Sequence, residues 1–129
     1  IAAARLIVTE YDGRVPDTME DLVRLPGVAR KTANIVLGNA YDRVVGIAVD
    51  THVFRLAHRF GLSAESNTDK VELDLMALFP QEHWHRVNYD LLSHGRAICD
   101  AKRPACGACF LADICPSAFK PKGWRESVD

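Results

Sequence analysis

At 129 residues, with 48% hydrophobic and 26% charged residues, the chain can bury a core as one compact domain or two small ones. A net charge of -1 excludes a globally basic nucleic-acid binder, and no apolar run approaches the roughly 18 residues of a membrane span. No basic-then-apolar leader opens the chain, which starts at Ile1 inside an apparent helix, so a trimmed or fragmentary chain is expected.

Residues 1–10 read as a helix with Ala4, Leu6, Ile7 and Val8 on its apolar face, stopped by Asp12-Gly13. Pro16-Asp17 opens a short second helix, with Asp17 as N-cap and Glu20 at capping-box spacing, running to about Leu25. Leu25-Pro26-Gly27-Val28 then makes a tight turn into a third helix, from about Ala29 to Tyr41. Ala29, Ala33, Val36, Leu37 and Ala40 form its packing stripe, which leaves Lys31, Asn34 and Gly38 on the other face.

That turn is the chemically suggestive stretch. Gly27 can take a backbone conformation that other residues resist. The amides of Gly27, Val28, Ala29 and Arg30 then gather at a helix start, where free N–H groups and the helix dipole suit a phosphate. Lys31, one residue further in, is either another phosphate contact or a nucleophile held against a nucleic acid.

The run Val44-Val45-Gly46-Ile47-Ala48-Val49 has no partner strand in the sequence and is expected to be an extended buried connection. Asp50 N-caps a helix from Thr51 to about Phe60, with Val53, Leu56, Ala57 and Phe60 buried and Arg55 and Arg59 facing out. Asn67 or Thr68 caps a helix to Phe79, and a longer helix runs from about Glu82 to Cys99 with Trp84, Val87, Leu91 and Ile98 on one side. Gly95 near its end either loosens that helix or permits close packing. The tail from Pro116 is expected to be irregular. The coarse class is all-α.

Charge is uneven along the chain. Glu65, Asp69, Glu72, Asp74 and Glu82 outweigh Lys70 in residues 61–82. Lys102, Arg103, Lys120, Lys122 and Arg125 outweigh Asp113 in residues 101–125. A basic end on a neutral protein suits a local phosphate footprint, or is simply a solvated tail.

Cys99, Cys106, Cys109 and Cys115 are the only cysteines and fall within 17 residues, spaced Cys-x6-Cys-x2-Cys-x5-Cys. Such closeness allows one shared metal centre. An iron–sulfur cluster tolerates uneven thiolate spacing. Four-cysteine zinc usually shows two Cys-x2-Cys pairs where here there is one. Two disulfides would suit a small secreted domain. The spacing ranks iron–sulfur first, zinc second and disulfides last. Lys102 and Arg103, on a loop pinned between ligands, are preorganised for phosphate or else balance thiolate charge.

Together these features resemble the endonuclease III family of DNA glycosylases. The resemblance rests on Leu-Pro-Gly-Val-Ala-Arg-Lys-Thr-Ala at 25–33, Val-Asp-Thr-His at 49–52 and the four cysteines, in that order, and spans about residues 1–117. It implies a bilobed helix-hairpin-helix DNA glycosylase fold. Residues 1–43 would belong to a partial six-helix barrel lobe and residues 44–129 to the lobe with the cluster loop. It also implies a [4Fe-4S] cluster on the four cysteines, Lys31 as catalytic lysine and Asp50 as catalytic aspartate. Gly27, Val28, Ala29, Arg30, Lys102 and Arg103 would be DNA contacts.

The activity implied is removal of oxidised pyrimidines from duplex DNA through a lysine Schiff base. The strand is then cleaved 3′ to the abasic site. A monomer in the cytoplasm at bacterial DNA, or in a eukaryotic nucleus or mitochondrion, is expected. Two departures stand out: Ala29 replaces the family's usual second hairpin glycine, and the family's helical segment ahead of the position of Ile1, which supplies a wedge and part of the base pocket, is not in this sequence. The alternatives are a monofunctional glycosylase, against which Lys31 argues, and a non-catalytic DNA-binding iron–sulfur module.

Overall fold

The computed structural model describes residues 1–129 and contains helices and turns, with no strand. Six α-helices follow in order: α1 Ala2–Glu10, α2 Met19–Leu22, α3 Arg30–Ala40, α4 Thr51–Arg59, α5 Thr68–Leu78 and α6 Trp84–Ala97. Single 3-10 turns at Gln81–His83 and Cys106–Ala108 precede α6 and lie in the cysteine loop. No helix is long and apolar enough to cross a membrane.

Two hydrophobic clusters organise these elements. Leu22, Leu25, Ala33 and Leu37 are buried together, with Ala3, Leu6 and Ile7 of α1 packed against them. Leu6 and Ile7 thus face inward as expected, whereas Ala4 and Val8 are exposed and Ala3 takes their place. The second cluster joins Ile47, Val49, Val53, Ala57, Val71, Leu75 and Val87 from the connection, α4, α5 and α6. Burial of such side chains stabilises the fold by about 1.5–3 kcal/mol each, as an upper estimate.

Helix starts follow local chemistry. The α2 cap is Thr18, one residue past the expected Asp17; its Oγ1 accepts from Asp21 N–H at 3.2 Å. Asn67 caps α5 by accepting from Asp69 and Lys70 N–H, and Asp50 caps α4 by accepting from Val53 N–H at 2.8 Å. The connection from Arg43 to Val49 has no regular structure and is buried from Gly46 onward, as its apolar composition without a partner strand requires.

Gly95 decides how tightly α6 lies on α4. A Cβ there would stand 3.0 Å from Arg55 Nη2, 3.2 Å from Leu56 Cδ1 and 3.3 Å from His52 Cβ. The glycine is therefore a close-packing device. The tail is irregular but not free: Arg125 N–H donates to Pro104 O, Gly107 N–H to Arg125 O, and Arg125 Nε to Arg103 O at 2.7 Å. Residues 121–126 thereby strap the cysteine loop.

Candidate functional site: an open hairpin and a closed cysteine loop

The turn between α2 and α3 adopts the conformation its sequence demands. Gly27 has φ +82, in the left-handed region that favours glycine. The Val28 N–H is consumed by Leu25 O at 3.0 Å, so it is not among the free donors expected there. The N–H groups of Gly27, Ala29, Arg30 and Lys31 make no backbone hydrogen bond. They lie at the start of an 11-residue helix, where the dipole favours an anion. Ala29 is the N-cap with φ -96 and ψ 177, extended backbone that alanine adopts freely, so the missing second glycine imposes no strain.

Lys31 is exposed and has no side-chain partner. Arg30, beside it, is not available in the same way. Its Nε donates to Glu72 Oε1 at 2.8 Å and its Nη2 to Glu72 Oε2 at 3.3 Å. The hydrogen bond to Glu72 pushes the guanidinium further up from its already high range. The Nε and Nη2 edge of Arg30 is thus committed to Glu72, while its backbone N–H and Nη1 carry no partner. Asn34, expected on the open face, is buried and donates from Nδ2 to Glu72 Oε2 at 2.8 Å. Asp50 is half-buried at the end of the connection, its carboxylate spent in part on the α4 cap. His52 contacts Arg55 Nη2 through Nδ1 at 3.2 Å.

At the other end of α4 the arrangement is the reverse. Cys99, Cys106, Cys109 and Cys115 form no disulfide and line one pocket together with Arg59, Phe60 and Pro104. Four thiols arranged around one common space can supply the four thiolates of an iron–sulfur cluster. Burial first, and then the neighbouring Cys99, Cys115 and Cys106, push the Cys109 thiol up. His94 Nε2 lies 3.5 Å from Cys109 Sγ.

Arg55 and Arg59 do not face out. Arg59 Nη1 donates to Cys99 Sγ at 3.2 Å and to Asp100 O at 2.7 Å, and its Nη2 donates to Ala101 O at 2.9 Å. Arg55 Nη2 donates to Gly95 O and Cys99 O, both at 3.0 Å. Burial, then the nearby Arg59, pulls the Arg55 guanidinium down from its usual range. The one sequence signal was their spacing of four, which sets both on one stripe beside the apolar face.

Asp100 closes the turn by accepting from Lys102 and Arg103 N–H at 2.9 Å each. The N–H of Arg103, then that of Lys102, holds its carboxyl below the usual carboxylate range. The Lys102 and Arg103 side chains project from this turn, exposed and without partners.

Comparison with known proteins agrees with both ends. A helix-hairpin-helix motif matches residues 10–38, and the iron-sulfur binding domain of endonuclease III matches residues 99–115, the interval bounded by the outer cysteines. Endonuclease III of Synechocystis is 52% identical over 90% of this chain and 53% of its own length. That of Escherichia coli is 39% identical over 100% of this chain and 57% of its own. The chain thus spans about half the length of the curated relatives it matches.

Among solved structures, a non-covalent endonuclease III–DNA complex superposes with a TM-score of 0.84 at 38% identity, over 90% of this chain and 54% of that one. A trapped endonuclease III–DNA covalent intermediate gives a TM-score of 0.87 at 37% identity, over 92% and 56%. Over the segment it spans, the chain is similar throughout to endonuclease III.

Proposed function

We propose that this chain carries the reacting half of a base-excision-repair DNA glycosylase with abasic-site lyase activity, acting on oxidised pyrimidines in duplex DNA. One observation carries the reading: Lys31 is an exposed, unpartnered amine in the first turn of α3, directly behind a hairpin whose N–H groups are free for a phosphate. A covalently trapped endonuclease III–DNA complex among the similar structures supports it.

The target nucleotide leaves the base stack to react. The hairpin N–H groups of Gly27, Ala29 and Arg30 hold a backbone phosphate, and Lys102 and Arg103 hold another further along the strand. The Lys31 amine, as free base, attacks the sugar C1′. The C1′–N bond breaks, and the departing base takes up a proton. The sugar ring opens to an iminium joined to Lys31 Nζ. Loss of a C2′ proton then expels the 3′ phosphate oxygen, and water releases the lysine. Asp50 stays ionised and stabilises positive charge developing at the sugar. Cys99, Cys106, Cys109 and Cys115 would hold the [4Fe-4S] cluster, which when bound cross-links the loop that presents Lys102 and Arg103.

On this reading the two hydrophobic clusters belong to two lobes, residues 1–43 and 44–129. The protein works as a monomer on DNA wherever its genome resides, the bacterial cytoplasm or a eukaryotic nucleus or mitochondrion. The test is incision of two duplexes, one with a single oxidised pyrimidine and one with an abasic site. Cleavage of the abasic duplex by the iron-loaded chain, lost in Lys31→Ala with binding retained, is expected. Binding without cleavage of either duplex would leave a non-catalytic DNA-binding module.

A further inference from the structure

Helix α3 is held from two sides. Ala33 and Leu37 pack into the cluster shared with α1 and α2, while a different flank meets a single carboxylate from α5. Glu72 is only 3% exposed. It accepts from Arg30 at two points and from Asn34 at one, all between 2.8 and 3.3 Å. Arg30 and Asn34 are one turn apart on α3. One carboxylate bonded to both therefore fixes the helix in rotation and in translation along its axis.

The same carboxylate bounds the route to Asp50. A Cβ on Gly46 would overlap Glu72 Oε2 and come within 2.9 Å of Asn34 Oδ1. Gly46 begins the buried run that ends at Val49, immediately before Asp50. Val71 and Leu75, on either side of Glu72, are fully buried in the cluster that carries α4. A charge at such depth is tolerated only with its donors in place, which makes the contact discrete rather than deformable.

We propose that Glu72 is the positioning residue of this site, keying the helix that carries Lys31 to the segment that carries Asp50. Its consequence for the chemistry rests on the lyase reading above; the keying of α3 rests on the geometry alone. Arg30 is the lever of this contact, and Lys31 follows it directly in the helix.

The test compares the iron-loaded full chain with Glu72→Gln, Gly46→Ala and their double variant. With abasic duplex at saturation, the borohydride-trapping rate is expected to fall roughly 10–100-fold in each single variant while the Kd for that duplex moves less than about threefold. The double variant loses no more than the worse single one, since both act through one contact. Hydrogen exchange of α3 amides speeds by about tenfold or more in Glu72→Gln, while α4 and α6 amides keep the parent rates. Asn34→Ala, which leaves the Arg30–Glu72 pair intact, is the milder variant should Glu72→Gln not fold, and is expected to give the same pattern at a few-fold amplitude.

Trapping within about twofold of the parent, a binding loss that parallels the rate loss, or unchanged α3 exchange would each overturn the proposal. A parent chain that forms no adduct would overturn the lyase reading instead, and the exchange arm would then decide the keying of α3 by itself.

Discussion

The two ends of the molecule treat their polar groups in opposite ways. At the hairpin, the backbone N–H groups of Gly27, Ala29, Arg30, Lys31 and Thr32 and the Lys31 amine have no partner, although the neighbouring Arg30 is paired with Glu72 through Nε and Nη2. At the cysteine loop, Arg55 Nη2, both terminal nitrogens of Arg59 and the Asp100 carboxylate are engaged with backbone from Gly95 to Arg103. Free donors at a helix start ask for a ligand from outside. Engaged ones hold a loop in a fixed shape, ready to carry a cluster. α4 spans the contrast, with Asp50 at one end and Arg59 at the other.

The closed end breaks most easily at Arg59. Arg59→Met removes the donors to Cys99 Sγ and to three carbonyls, and a loss of about 2–4 kcal/mol is expected. Thermal unfolding together with bleaching of the cluster absorbance checks it; a variant that keeps both like the parent would mean the loop needs no such brace. At the open end, Asp50→Asn keeps a good N-cap but removes the charge. Stability should hold within about 0.5 kcal/mol while the trapping rate falls about a hundredfold, whereas Asp50→Ala should also cost about 1 kcal/mol of stability. Equal rates in the parent and Asp50→Asn would reduce Asp50 to a cap.

Between the two ends, Gly95→Ala pushes α6 off α4 and should cost about 1–3 kcal/mol by overpacking, read from the urea midpoint. The smallest effect belongs to Asp100. Its carboxyl is held low, so its contribution is complete above the ordinary carboxylate pKa of about 3.9 and fades as pH falls through the lower folded value. Asp100→Asn should flatten that acid limb by losing this small contribution near pH 7 while leaving the stability at low pH almost unchanged. An identical acid limb in both would assign it to other groups.

Much of this was legible in the sequence, for a physical reason. The hairpin, the Asp50 and Asn67 caps and the cysteine loop are local: each depends on residues within a few positions, and their bounds fall where turn and cap chemistry put them. Arg55, Arg59, Asn34 and Glu72 were illegible because their partners are remote. Arg59 bonds a loop 40 residues on, and Arg30 a carboxylate 42 residues on. A helical wheel places a charged residue at the surface unless something unseen covers it. The Thr18 cap differs from Asp17 by one position, the ordinary resolution of a boundary read from pattern.

Everything proposed for the chemistry depends on Lys31 forming the bond to the sugar. The most direct test is borohydride trapping of the iron-loaded chain on an abasic-site duplex, followed by proteolysis and mass spectrometry of the cross-linked peptide. One adduct is expected, mapped to Lys31 and absent in Lys31→Ala. An adduct at any other amine, or one that persists in Lys31→Ala, would contradict it.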